Sequence, residues 1–222
     1  MVTRCRRTTP GCDVERVHAL WVVALVSELT PLLAVLRRPR LKSHRLCVGD
    51  VAGRRIALLR AGVGPDAAER RTRSALDVVH PNEVWSIGSC GALADDLAVG
   101  DLLTAHTVRS PAGHLFETTP VDGIPSTTVH TVRRPVFTAN HRAAVASTGA
   151  AACEMEASGV VRAADHRVPV RVLKVVSDHA GAAPDPAIDS HKAIAMAHFH
   201  VRVERLMRTR VAPTLVARLA HT

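Results

Sequence analysis

Residues 153–180 read Cys-Glu-Met-Glu-Ala-Ser-Gly-Val-Val-Arg-Ala-Ala-Asp-His-Arg-Val-Pro-Val-Arg-Val-Leu-Lys-Val-Val-Ser-Asp-His-Ala. The first half, about residues 155–166, is rich in good helix formers and predicts a helix. Val168-Pro169 closes it, because proline disfavours helical geometry in the residue before it. Residues 170–176 are β-branched and almost wholly apolar, the pattern of a strand. A helix and a strand joined by a tight turn run antiparallel, so the helix start and the strand end meet at one edge of a sheet. Glu156 stands at the first and Asp178 at the second. The pattern therefore brings two carboxylates together where open α/β sheets bind ligands.

Working outward, residues 17–26 form a continuous apolar run, expected as a central strand buried on both faces. It ends at Ser27-Glu28, and a helix is expected over about 29–37, with Pro31 tolerated in its first turn. Residues 46–59 read as a hairpin whose second strand runs into Ala61-Gly62-Val63-Gly64-Pro65, followed by a helix to about residue 79. A short strand at 84–87 leads to Gly88-Ser89-Cys90-Gly91-Ala92-Leu93, and Val99-Gly100-Asp101 turns into another strand. Residues 109–135 have weak periodicity and are expected as loop or short strands. A short helix is expected near 140–148, a loop after 180, and a long terminal helix over about 187–207. Strands alternating with helices predict a three-layer α/β/α sandwich on a mixed sheet. Residues 1–15 are expected as a basic tail and 16–222 as a single domain.

Composition narrows the function classes. Of 222 residues, 47% are hydrophobic and 22% charged, a globular balance. No apolar run reaches the length of a membrane helix, about 18 residues, and the basic N-terminus lacks the apolar centre of a signal peptide. A cytoplasmic chain without membrane association is expected. The five cysteines (Cys5, Cys12, Cys47, Cys90, Cys153) are scattered, and the thirteen histidines form no metal-ligand spacing. Neither a disulfide framework nor a metal is expected, and no cofactor. The formal charge of +9 would suit nucleic acid, but there is no Tyr and only three Phe and two Trp to stack on bases. The charge reads as a solvated surface, with no nucleic-acid partner.

Glu28, Gly62–Gly64, Ser89–Gly91 and Ser177-Asp178 each follow an expected strand end, so parallel strands would gather them at one edge. Each has a plainer explanation when taken alone. Two glycines permit a tight bend, Glu28 suits a first helical turn, and Asp178 suits a turn cap.

Taken together, Ala24-Leu25-Val26-Ser27-Glu28, Gly88-Ser89-Cys90-Gly91-Ala92-Leu93 with Val99-Gly100-Asp101, Met155-Glu156-Ala157, and Val175-Val176-Ser177-Asp178-His179-Ala180 are similar to the purine nucleoside phosphorylase/uridine phosphorylase superfamily. They come closest to its methylthioadenosine/adenosylhomocysteine nucleosidase branch. The resemblance covers about residues 20–180 and implies a nucleoside phosphorylase-like fold. It implies that Met155 and Glu156 grip the ribose, a carboxylate having two oxygens for two hydroxyls. It further implies that Ser89, Cys90 and Gly91 lie against ribose and base, that Ser177 and Asp178 handle the purine, and that Lys174 stands for an arginine orienting Glu156. Glu28 would hold the attacking water and Asp178 would protonate the leaving base, because a purine leaves poorly as an anion. The phosphorylases' Gly-Asp-Pro-x-Arg segment is absent and Ser86 stands where they carry another arginine, which favours water as nucleophile. The expected partner is a small purine nucleoside, and the expected assembly a homodimer or larger. The alternatives are a phosphorylase, including one acting on adenosylated lipids, and a non-catalytic nucleoside- or nucleic-acid-binding domain.

Overall fold

The computed structural model describes residues 14–181 and 189–221. Most of the expected tail, the loop from 182 onward and the expected start of the last helix lie outside the described residues. The first strand, β1 (Glu15–Val23), begins at the last residue assigned to that tail, and the helix α1 (Val26–Val35) follows it. Next come β2 (Arg37–Leu41), β3 (Leu46–Val51), β4 (Arg54–Arg60) and α2 (Pro65–Leu76). Then follow β5 (Val79–Ala92), β6 (Leu102–Arg109), β7 (Leu115–Glu117), β8 (Ser126–Thr131) and α3 (Ala139–Ala146). The chain closes with β9 (Ala152–Glu154), α4 (Ala157–Ala164), β10 (Val170–His179), α5 (Asp189–Leu206) and α6 (Ala212–His221).

The ten strands form one mixed sheet, with β4, β1, β5 and β10 side by side and parallel. Their apolar runs are buried on both faces, as a parallel sheet covered by helices requires. One face packs α2 and α4 through Ala68, Ala75, Val160 and Ala164. The other packs α1 and the C-terminal helices through Leu32, Met207 and Leu215. These are the three layers expected. Beyond β5 the strands continue β9, β8, β6 and β10, and β10 pairs back onto β5, so five strands close a ring.

Several boundaries differ from the sequence reading. Helix α1 starts at Val26, which puts Glu28 in its first turn and not after a strand. Strand β5 has 14 residues where a short strand was expected. It passes through Pro81 because β10 joins only at Val84, so the missing N–H faces no partner there. It also carries Ser89, Cys90 and Gly91 inside the strand, because pairing with β10 persists to Ala92. Residues 109–135, expected as loop or short strands, contribute β7 and β8. The expected terminal helix is α5, and past its expected end the chain continues through a wide turn over Met207–Val211, where the Ala212 N–H bonds Met207 O, into α6. Pro213, which cannot donate to the helical ladder, accounts for the wide turn.

Candidate active site

Because β1, β4, β5 and β10 are parallel, their C-terminal ends share one edge. That geometry gathers Glu28, Gly64, Ser89 and Asp178 there. Glu28 is only 3% exposed. Its Oε2 accepts the Ala24 and Leu25 N–H groups, each at 3.0 Å, the backward reach of an acid in a first helical turn. Its Oε1 accepts the Ser89 N–H at 2.9 Å and the Ser89 hydroxyl at 3.0 Å. Four donors match the roughly four lone-pair positions of a carboxylate. Only the Ser89 hydroxyl can rotate away and yield its place to another donor. Gly88 makes this seat possible, since a Cβ there would lie 2.6 Å from Glu28 Oε1.

The second group gathers at the N-terminus of α4. Glu156 Oε1 accepts the Gly64 N–H at 2.9 Å, and Gly64 takes φ 98°, a backbone setting that favours glycine. Burial, with Glu154 and Glu28 nearby, pushes the Glu156 pKa up to about 8, although Lys174 and the Gly64 N–H oppose the change. Lys174, 1% exposed, pairs with Glu154 at 3.0 Å and not directly with Glu156. Burial alone would lower the Lys174 pKa, but Glu154, Glu156 and Glu28 outweigh it and hold it above the ordinary lysine range. Lys174, expected to orient Glu156, touches Glu154 with its ammonium and acts on Glu156 through its field.

Glu154 has a role that the sequence pattern does not reveal. Its Oε2 accepts the N–H groups of Glu156 and Ala157 at 2.9 and 2.8 Å, which caps α4 and fixes the backbone of Glu156. Its Oε1 accepts the Thr131 hydroxyl at 2.6 Å, and Thr131 Oγ1 in turn accepts the Ser158 N–H. The available signal was the Glu-x-Glu spacing beside a buried lysine. Thr131 lies in the stretch without readable periodicity.

At the end of β10 a bulge between Val176 and Asp178 interrupts the pairing with β5. Bulges of this kind re-aim side chains next to functional sites. The single proton of the buried Ser177 hydroxyl reaches Asp178 Oδ2 at 2.7 Å or the Cys90 carbonyl at 3.1 Å. Asp178 is half-buried, and its Oδ1 lies 3.2 Å from where a Cβ on Gly91 would stand. Gly88 beside Glu28 and Gly91 beside Asp178 are three residues apart on β5, about 10 Å along a strand. A sugar ring fits in that interval. Cys90, in contrast, turns its thiol into the core, and burial raises its pKa. Its carbonyl accepts the Ser177 hydroxyl at 3.1 Å. Met155 is half-buried against the cluster containing Leu93, Val136 and Cys153. Burial likewise pushes the Cys153 thiol up to about 12.

Among the described residues no group of three or more His, Cys, Asp or Glu side chains is disposed to hold a metal ion. Among them, too, no helix is long and apolar enough to cross a membrane.

Residues 20–122 match the sequence model of the phosphorylase superfamily. A 5'-methylthioadenosine/S-adenosylhomocysteine nucleosidase from Shewanella piezotolerans is 26% identical over 187 residues, covering 68% of this chain and 80% of its own. The nucleosidase of the same name from Haemophilus influenzae is 34% identical over 84 residues, 38% of this chain and 36% of its own. Among solved structures, the Colwellia psychrerythraea nucleosidase in complex with adenine superposes with a TM-score of 0.75 at 18% identity, over 91% of this chain and 96% of that one. The S. pneumoniae nucleosidase with a transition-state inhibitor gives 0.75 at 20% identity, over 91% and 98%. Residues 20–122 are thus similar to the phosphorylase superfamily, and the arrangement of strands and helices is the nucleoside phosphorylase-like fold of these solved structures.

Proposed function

We propose that this chain is a nucleosidase that hydrolyses the N-ribosyl bond of a purine nucleoside, with an adenine nucleoside such as 5'-methylthioadenosine or S-adenosylhomocysteine as substrate. The observation that carries the reading is the seating of Glu28. It is a buried carboxylate held by three backbone N–H groups and one rotatable hydroxyl. Such a carboxylate is fixed in place and can still exchange one donor for a water molecule.

In this reading the water takes the position of the Ser89 hydroxyl and gives its proton toward Glu28 as it attacks C1'. Glu156 accepts the 2'- and 3'-hydroxyls and orients the ring. Asp178 donates a proton to N7 of the departing base, with Ser177 fixing its rotamer. Division of labour between two carboxylates follows the logic of inverting glycosidases, whose acid and base stand far enough apart to admit water. The relatives named nucleosidases support hydrolysis over phosphorolysis. We place the reaction in the cytoplasm and the working unit in a homodimer or larger.

The test is turnover in phosphate-free buffer with identification of the sugar product. Free 5'-substituted ribose is expected, with Glu28→Gln lowering kcat strongly and KM little, as for a group acting mainly in the transition state. Strict phosphate dependence with a sugar 1-phosphate product would refute the reading.

A further inference from the structure

Beside the sugar position, across β4 and β3, lies a cleft of about 490 Å³ bordered by Leu25, Arg45, Arg60, Gly62 and His200. Two of its walls belong to the site already described. Leu25 lends its N–H to Glu28, and Gly62 is two residues from the Gly64 that holds Glu156. Arg60 and Arg45 sit at the ends of facing strands, tied by the Arg60 N–H to the Arg45 carbonyl at 2.9 Å. Arg71 approaches from α2, with its guanidinium donating to the Ala61 carbonyl beneath Gly62. A Cβ on Gly62 would collide with that guanidinium.

Three half-buried arginines approach one another here. Arg55, Arg162 and Arg171 each pair with a carboxylate. Arg45, Arg60 and Arg71 are half-buried, and among the described residues none of the three has a carboxylate within ion-pair distance. The one acid bordering the cleft, Glu204, is taken by Arg208 at 2.7 Å. Arg71 feels the crowding: burial, then Arg45, Arg70 and Arg60, lower its pKa. Grouped guanidinium groups without counter-charge repel one another, and a bound anion would relieve that repulsion through charge-assisted hydrogen bonds.

The sheet order then assigns the anion a position. From β10 and β5 through β1 to β4 and β3, the edge presents Asp178, then Glu28 and Glu156, then the arginines. A base, a sugar and a group carried by the sugar would lie in that sequence. Resting on the nucleosidase reading above, we propose that the Arg45–Arg60 cleft binds a carboxylate or phosphate carried on the substrate's 5' substituent. The preferred substrate is then an anionic 5'-modified purine nucleoside.

The experiment compares kcat/KM for 5'-methylthioadenosine and 5'-deoxy-5'-(carboxymethylthio)adenosine in the wild type, Arg60→Gln and Arg45→Gln. The wild type should prefer the carboxylate by about tenfold or more, the worth of a hydrogen bond to a charged group. The variants should bring that ratio toward one by losing rate on the carboxylate alone. Equal turnover of both nucleosides by the wild type overturns the inference, as does an equal loss on both in the variants. A third arm adds inorganic phosphate. If phosphate accelerates turnover, yields a sugar 1-phosphate and loses that effect in Arg60→Gln, the arginines serve free phosphate and the proposal fails. If the wild type cleaves neither nucleoside, the nucleosidase reading falls. The cleft is then judged by calorimetric binding of the same pair, where tighter binding of the carboxylate supports it and equal binding overturns it.

Discussion

Glu156→Gln replaces a half-buried acid by a neutral side chain of the same shape, and its effect on stability has a defined sign. The folded chain holds Glu156 at about 8, against 4.5 for an unperturbed glutamate. Between those values the folded state keeps a proton that the unfolded state has released. Stability therefore falls as pH rises through that window, since the native state binds more protons. Each tenfold difference in proton affinity between the two states corresponds to about 1.36 kcal/mol, so the whole interval sets an upper bound of about 5 kcal/mol. The proton is coupled to neighbouring charge, which brings the expected effect to about 2–5 kcal/mol. Glutamine has no proton to lose and escapes this cost. Urea unfolding of both proteins at pH 5, 7 and 8.5 isolates Glu156, because the other groups are common to both. The two should be nearly equally stable at pH 5, and the variant more stable by about 2–5 kcal/mol at pH 8.5. A difference that does not change with pH would show that Glu156 is not held protonated by its surroundings. In activity the ordering reverses above about pH 8, where the ionised Glu156 accepts from both hydroxyls and glutamine offers them one acceptor oxygen.

Lys174→Met leaves Glu154 buried without its partner, so unfolding stability should fall by about 3–5 kcal/mol. Recovery of most of that loss in the double variant with Glu154→Gln checks the pairing, and additive losses would contradict it. Gly88→Ala drives a Cβ into the Glu28 carboxylate. A displacement on that scale should cost about 10²-fold in kcat and also lower the unfolding midpoint, since it strips buried donors of their acceptor, and unaltered kcat would remove Glu28 from its assigned seat.

What was legible in the sequence follows from what local pattern encodes. The apolar runs in β1 and β10, and the proline after α4, state their own structure, so the order of elements and the edge where carboxylates meet could be read directly. The length of β5 could not. Gly88 and Gly91 look like turn residues, and only pairing with β10 keeps them extended. Strand β8 hides in a Thr- and His-rich stretch because it is stabilised by β6 and β9 and not by its own periodicity. The site splits in the same way. Glu28, Glu156 and Asp178 stand beside motifs, whereas the role of Glu154 depends on Lys174 and Thr131, which sequence separation keeps apart. The Arg45–Arg60 cleft is likewise a property of two strand ends meeting.

The division of labour between carboxylates is tested most directly by Asp178→Asn, assayed on a purine nucleoside and on a nitrophenyl riboside. Asparagine keeps the size of the side chain and cannot deliver a proton. On the purine substrate the rate should fall by about 10²–10⁴, the usual worth of general acid catalysis. The nitrophenyl group leaves without protonation, so its cleavage should suffer far less. An equal loss on both substrates would contradict the account and reduce Asp178 to a structural member of the bulge at the end of β10.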